Sequence, residues 1–109
     1  MTLALQIKEK AKELGFHQTG IARVEILTGE GERLKTWLAK GYNGTMDWMN
    51  RSVDKRCDPS LVLPNARSII SVAMNYYTDN HHVETEGTGK VSRYAWGDDY
   101  HDILENRLE

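Results

Sequence analysis

The chain has 109 residues, of which 39% are hydrophobic and 28% charged, and this composition is typical of one globular domain. Its formal net charge of -2 provides no overall attraction for nucleic acid, so RNA binding would need a local basic patch or further protein. No run of about 18 apolar residues is present and the N-terminus becomes charged too early for a secretory signal, which predicts a cytoplasmic protein with no membrane partner.

The first predicted element is an amphipathic helix over residues 2–14. Thr2 can cap its start, and Gly15 followed by Phe16 fits a helix end with a hydrophobic contact. Lysine and glutamate occupy the opposite face of this helix. The apolar residues that recur at helical spacing are Ala4, Ile7, Ala11 and Leu14.

A strand and a second helix follow. Residues 19–24 are short and partly apolar between turns that contain glycine, which favours a strand. Acidic residues open a predicted helix over residues 30–40, and Gly41 ends it. Leu34, Trp37 and Leu38 share one face of this helix, so we assign Trp37 to the core.

The middle of the chain predicts turns. Residues 42–56 have irregular apolar spacing, which indicates an ordered loop with a short helical turn near Met46–Met49. The prolines at 59 and 64 push the residues before them away from helical dihedrals, so residues 61–63 are predicted to be extended or to form a tight turn. The single cysteine, Cys57, excludes an internal disulfide and a four-cysteine site built by this chain alone. We interpret it as a packed side chain beside a turn.

The most apolar segment is residues 68–76, in which apolar side chains follow one another almost without interruption. This pattern is typical of a strand that is covered on both faces. We therefore expect the central strand of a small sheet flanked by helices, an α/β (α+β) fold.

The last third of the chain predicts a polar loop and a helix. Residues 78–89 show no period and should form a surface connection, in which the adjacent His81 and His82 are solvated and hold no metal. After Gly97, either Asp98 or Asp99 can cap a final helix. Because that helix meets no stop signal before residue 109, we expect residues 1–109 to be a truncated, single-domain piece of a longer protein.

The strongest signal for a site is the segment from Arg93 to His101. An arginine can clamp amides or phosphates, and an acid, a phenol and an imidazole together can relay protons. The structural alternative is that the aspartates cap the helix, Tyr100 packs and His101 faces solvent. Of the tryptophans, Trp96 is the strongest candidate for a site residue.

Several elements of the sequence resemble the epoxyqueuosine reductases, in the same order and over most of residues 10–109. The family has an Arg-Tyr/Ala-x-Gly-x-Asp-Tyr-His element, which Arg93, Gly97, Asp99, Tyr100 and His101 match. Further matching elements are Gly41-Tyr-x-Gly-x-Met-Asp-Trp-Met49, Lys55-Arg56 followed by Asp58-Pro59, and Leu63-Pro64-x-Ala66-Arg67-Ser68.

The resemblance implies an α/β fold similar to cobalamin-dependent reductases, in which this region supplies one side of the cobalamin pocket. It implies that reduced cobalamin acts on the epoxide of epoxyqueuosine in tRNA, the substrate partner, and that two 4Fe-4S clusters supply the electrons. The family's cluster cysteines and its proposed proton-donating aspartate have no match here, so no catalytic residue is assigned and the C-terminal catalytic and iron–sulfur parts are absent from this chain. The cofactor-contact residues that the resemblance implies are Arg56, Ser92, Arg93, Tyr94, Asp99, Tyr100 and His101.

Three hypotheses follow. The first is the N-terminal, cobalamin-side domain of an epoxyqueuosine reductase, inactive as a fragment. The second is a non-catalytic corrinoid-binding or protein-interaction domain, and the third is a small α/β domain of unrelated function. A further expectation is self-association through the apolar surface that truncation would expose on the strand at residues 68–76.

Overall fold

The computed structural model describes residues 1–109, which form four α-helices and a two-stranded antiparallel sheet. This architecture confirms the predicted α+β class with a small sheet. None of the helices is long and apolar enough to cross a bilayer. In chain order the elements are α1 (Leu3–Glu13), β1 (Gln18–Arg23), α2 (Thr28–Ala39), α3 (Val53–Cys57), β2 (Ser68–Ala73) and α4 (Tyr100–Leu108), with 3-10 turns at Asp47–Asn50, Pro59–Leu61 and Arg93–Ala95.

The chain forms two compact units. The first contains residues Met1–Gly20 and Ser71–Glu109, and the second contains Ile21–Ile70. Each unit includes part of both strands. In the first unit the ladder is extended by a bond from the His17 N–H to the Ala73 carbonyl at 2.8 Å, and in the second by one from the Val24 N–H to the Arg67 carbonyl at 3.1 Å.

The prediction of a central strand at residues 68–76 is wrong in two respects. β2 ends at Ala73, three residues earlier, and it pairs only with β1, so the sheet has no central strand. Ile70 remains 51% exposed. An apolar run indicates that both faces of a strand can be buried, but other segments must pack on those faces, and the run does not specify them. The edge pairing is also limited, because β1 is the one strand that pairs with β2.

The ends of α1 form as their local chemistry dictates. The Thr2 side chain accepts a hydrogen bond from the Leu5 N–H at 3.3 Å. At the other end Gly15 has a φ of 93°, the left-handed region that favours glycine. The Phe16 N–H donates to the Ala11 carbonyl at 3.0 Å, which completes a Schellman motif and turns Phe16 inward to 3% exposure. Ala11 and Phe16 are the buried apolar residues of this unit.

In the second unit α2 packs closely against α3. Gly31 of α2 is buried, and a Cβ built at this position would lie 3.0 Å from the Cys57 sulfur. Cys57 is half-buried, which confirms its assignment as a packed side chain. α2 begins two residues before the predicted start and Gly41 follows its end, while Trp37 is half-buried rather than fully enclosed.

The loop between α2 and β2 is ordered by short turns. The predicted helical piece is present as the 3-10 turn at Asp47–Asn50, whereas α3 was not anticipated by the sequence pattern. Asn43 is 7% exposed and donates from Nδ2 to the Met46 carbonyl at 3.2 Å. The tight turn expected near residues 61–63 begins at Pro59, where the Asp58 side chain accepts from the Ser60 N–H at 3.0 Å.

Candidate ligand-binding site

A cavity of about 540 Å³ lies within the first unit. Its walls come from the end of β2 and the residues after it, from the 3-10 turn at Arg93–Ala95, and from one face of α4. Most of its lining is apolar or aromatic. The lining residues are Val72, Met74, Asn75, Tyr76, Thr78, Arg93, Tyr94, Trp96, Asp98, Tyr100, Ile103 and Leu104.

Three tyrosines form one wall of this cavity. The Tyr94 ring meets Tyr76 edge to face at 6.3 Å between centroids and meets Tyr100 in the same way at 6.1 Å. Edge-to-face pairs of this kind fix the rings at defined angles. Tyr94 and Tyr100 nevertheless stay 52% and 44% exposed, so the wall presents aromatic surface that a planar ligand could cover.

Arg93 is the cation of the cavity. Its guanidinium carbon lies 5.0 Å from the centroid of the Tyr77 ring and 5.5 Å from that of Trp96, within cation–π range. Nη2 donates to the Asn80 carbonyl at 3.3 Å. Nε is buried and has no hydrogen-bond partner in the protein. A buried donor without a partner costs free energy that an acceptor on a ligand would recover.

Asp99 and His101 form a coupled pair at the start of α4. One carboxylate oxygen of Asp99 accepts from the His101 N–H at 2.9 Å and lies 2.8 Å from its Nδ1. The backbone hydrogen bond and the imidazole together hold the pKa of the Asp99 carboxyl below its ordinary value. The His101 ring also stacks on Tyr100 with 4.1 Å between centroids. The hydrogen bond from the His101 N–H to the Asp99 carboxylate confirms the predicted capping role of Asp99.

The structure brings some of the predicted site residues together. Arg93, Tyr94 and Tyr100 line the 540 Å³ cavity, whereas Asp99 and His101 line a shallower one beside it. Ser92 is exposed and borders a neighbouring cavity of about 410 Å³.

Arg56 lies in the second unit, where its guanidinium has structural partners. Nε donates to the Arg51 carbonyl and Nη2 to the Trp48 carbonyl, both at 3.2 Å. These bonds hold the loop before α3 together. The cofactor contact that the resemblance implies for Arg56 stays a prediction.

Sequence reasoning did not assign Tyr76, Tyr77 or the α4 residues Ile103 and Leu104 to the site. The sequence does contain a signal for these residues. The apolar run of β2 leads directly into Asn75, Tyr76 and Tyr77, and the apolar face of α4 requires a packing partner elsewhere in the fold. Trp96, favoured as a site residue, does line the cavity. Nothing in the local sequence indicates that Tyr77 stacks on Arg93.

The segment that builds this cavity matches a known protein family. The family described as "Epoxyqueuosine reductase QueG, DUF1730" matches residues 56–109, which include all of the cavity wall and all of α4. Curated relatives extend the match along the whole chain. The epoxyqueuosine reductase of Atelocyanobacterium thalassa is 40% identical over 111 aligned residues and covers 100% of this chain, and that of Gloeobacter violaceus is 48% identical over 107 residues and covers 97%.

The chain belongs to the epoxyqueuosine reductase family. It spans about a third of its relatives' length, namely 36% of the Atelocyanobacterium protein, 33% of the Gloeobacter protein and 29% of an Escherichia coli relative that is 43% identical. The solved structure of the epoxyqueuosine reductase of Streptococcus thermophilus matches 99% of the chain with a TM-score of 0.82 at 29% identity, and the match covers 30% of that protein. The fold described above is therefore the fold of this part of the family.

Proposed function

We propose that this chain is the N-terminal, cobalamin-side domain of an epoxyqueuosine reductase, which in complete form reduces epoxyqueuosine to queuosine in tRNA. The observation that carries the proposal is the position of the 540 Å³ cavity, whose whole wall lies within the family-matched residues 56–109. Pockets that combine an apolar and aromatic wall with a few polar groups are the usual sites of cofactors.

The residues of the cavity fit one side of a corrinoid. A corrinoid has a broad, largely apolar macrocycle with amide groups on its rim, and it is larger than this cavity, so the chain would cover only part of it. The wall formed by Tyr76, Tyr94 and Tyr100 offers aromatic surface for contact with the macrocycle. The guanidinium of Arg93, which lines the cavity, suits a rim amide oxygen, since a guanidinium only donates.

When bound and reduced, a corrinoid would supply the electrons for opening an epoxide. The chain's own residues would hold and orient it: Tyr94 and Tyr100 by contact, Arg93 by a charge-assisted hydrogen bond, and the apolar side chains of α4 by excluding water. The two 4Fe-4S clusters of the proposed enzyme would be bound elsewhere, because one cysteine cannot ligate a cluster.

A binding measurement tests this proposal. We expect the 109-residue chain to retain hydroxocobalamin during dialysis and to shift its visible absorbance. Tyr94→Ala removes the ring that contacts both neighbouring tyrosines and should weaken binding about fivefold, since aromatic contacts contribute about 1 kcal/mol beyond area burial. The matched control is Tyr42→Ala, which removes a tyrosine that is 64% exposed in the second unit. Equal losses in the two variants, or no retention by the unmodified chain, would contradict a site at this cavity.

A second measurement concerns catalysis. We expect the chain alone, given reduced cobalamin and tRNA that carries epoxyqueuosine, to form queuosine no faster than a protein-free mixture. Faster conversion would show that this segment contains a complete active site. If the chain retains the corrinoid but forms no queuosine, it could be either a reductase domain or a non-catalytic corrinoid-binding domain. Queuosine formation by a longer protein that contains this segment would support the reductase domain.

Self-association through apolar surface remains a prediction, which a measurement of the molar mass in solution would test.

A further inference from the structure

Asp98 is the one carboxylate that lines the 540 Å³ candidate site, and it also lines the shallower cavity beside it. The sequence alone allows either Asp98 or Asp99 to cap α4. In the structure Asp99 has this role, because its side chain accepts from the His101 N–H at 2.9 Å. The exposed carboxylate of Asp98 is therefore not needed to start the helix.

The carboxylate of Asp98 has no partner within the chain. None of the ion pairs includes it, and the side-chain hydrogen bonds at the start of α4 are made by Asp99. The backbone turns sharply just before it, since Gly97 has a φ of 73°, in the left-handed region that favours glycine. The residues on both sides of this turn, Trp96 and Asp98, line the cavity. Asp98 can thus accept hydrogen bonds from a ligand without breaking any within the protein.

Asn75 supplies a donor to the same cavity. Its backbone N–H donates to Nδ1 of His17 at 3.1 Å, and its side-chain Oδ1 accepts from the Tyr77 N–H at 2.8 Å. These two bonds fix the residue and use its side-chain oxygen. The side-chain nitrogen, Nδ2, is left for a ligand, and an amide nitrogen only donates.

The charged groups that line the cavity are Arg93 and Asp98, which have opposite signs. They form no ion pair with each other, because Nη2 of Arg93 donates to the Asn80 carbonyl at 3.3 Å instead. Their formal charges cancel, so the cavity does not favour a ligand with a net charge of either sign. Both charged groups remain available to polar groups on a neutral ligand.

The polar groups of the cavity match a carboxamide. Arg93 and the Nδ2 of Asn75 donate, whereas Asp98 accepts. A carboxamide has an oxygen that accepts and a nitrogen that donates, so amides on one ligand can satisfy both kinds of group. A carboxylate only accepts, and it would leave Asp98 without a donor and with a like charge nearby.

We propose that Asp98 is a specificity-determining residue of the candidate site, which accepts hydrogen bonds from rim carboxamides and thereby selects an amidated corrinoid over one with rim carboxylates. The proposal rests on the proposed function for the identity of the ligand as a corrinoid. The selection between the two kinds of rim group is a property of Asp98.

The test compares two corrinoids that differ in their rim groups: cobyrinic acid, whose rim carries carboxylates, and its fully amidated form. The affinity of the 109-residue chain for each is measured by equilibrium dialysis near neutral pH. We expect the amidated form to bind more tightly. In Asp98→Asn the ratio of the two affinities should fall about fivefold, because the asparagine amide can donate to a carboxylate and adds no like charge.

Asp102→Asn is the matched control. It removes the same charge one turn further along α4, from a residue that lines neither cavity, and should leave the ratio unchanged. The ratio also separates selection from a structural role, since a variant that disturbs the fold weakens the binding of both corrinoids together. Because Asp99 supplies the cap, Asp98→Asn should unfold at the same urea concentration as the unmodified chain.

The outcomes distinguish this proposal from the proposed function. Equal affinity of the unmodified chain for the two corrinoids would overturn the selection by Asp98 and leave the corrinoid site in place. An unchanged ratio in Asp98→Asn, or an equal fall in Asp102→Asn, would have the same meaning. If the unmodified chain bound neither corrinoid, the proposed function and the role of Asp98 would both be contradicted.

Discussion

The two units use their arginines and polar side chains differently. In the second unit, Arg56 donates to two backbone carbonyls and Asn43 to a third, so both serve the loop in which they lie. In the first unit, Arg93 lies between two aromatic rings and keeps a buried donor without a protein partner. Both arginines therefore donate to backbone carbonyls, and they differ in that Arg93 also retains one buried donor without a protein partner, although both belong to elements that resemble the same family.

The largest expected effect concerns the packing of the second unit. Gly31→Val would bring a branched side chain against Cys57, whose sulfur lies 3.0 Å from the position of a Cβ. We expect the free energy of unfolding to fall by about 2 kcal/mol through overpacking, measured by urea denaturation. Gly29→Val controls for the cost of valine in the same helix, because only the flexible end of Arg33 lies near that position. Similar losses in the two variants would show that the contact between α2 and Cys57 is not tightly packed.

A smaller effect sharpens the contrast between the two arginines. Arg56→Gln removes the bonds to the Arg51 and Trp48 carbonyls and should lower the free energy of unfolding by about 1 kcal/mol. Arg93→Gln should instead lower hydroxocobalamin affinity. The exposed Arg33, whose side chain is 74% accessible, provides the control substitution Arg33→Gln. If folded Arg56→Gln also loses affinity, Arg56 has the cofactor contact that the resemblance implies.

The smallest effect is the pH dependence of the α4 N-terminus. The pKa of Asp99 is lower in the folded chain than its ordinary value near 3.8, so its contribution to stability is complete above that value and is lost as the pH falls through the lowered pKa. We expect α4 to lose helicity in this acidic range, observed in the NMR chemical shifts of its backbone. Asp99→Asn retains a capping oxygen and should remove this part of the pH dependence. An unchanged acid transition in that variant would assign it to other carboxylates.

Features set by neighbouring residues could be predicted from the sequence. Thr2, Gly15 and Asp99 act within a few positions of themselves, and each defines a helix end as expected. Of the cofactor contacts that the resemblance implies, Arg93, Tyr94 and Tyr100 line the 540 Å³ cavity.

Features that depend on distant segments could not be predicted in this way. The exposure of Ile70 depends on which segments cover the sheet, and the apolar run alone does not specify them. The partners of Arg56 depend on a 3-10 turn whose carbonyls lie up to eight residues away. The contact of Arg93 with Asn80 crosses thirteen positions of polar loop, which has no periodicity to indicate it.

The first unit is assembled from the two ends of the chain, which has a consequence for folding during synthesis. Arg107 donates to the Gly15 carbonyl at 3.4 Å across 92 positions of sequence. On the ribosome, residues 21–70 emerge as one continuous segment and can begin to fold at once, since domains fold as units during translation. Residues 1–20 cannot complete their unit until residues 71–109 have been synthesised. Before that point the hydrogen bond from the His17 N–H to the Ala73 carbonyl, next to Phe16, cannot form. Nascent chains arrested before codon 71 would thus expose α1 to chaperones and proteases, and the candidate ligand site would be the last part of this segment to form.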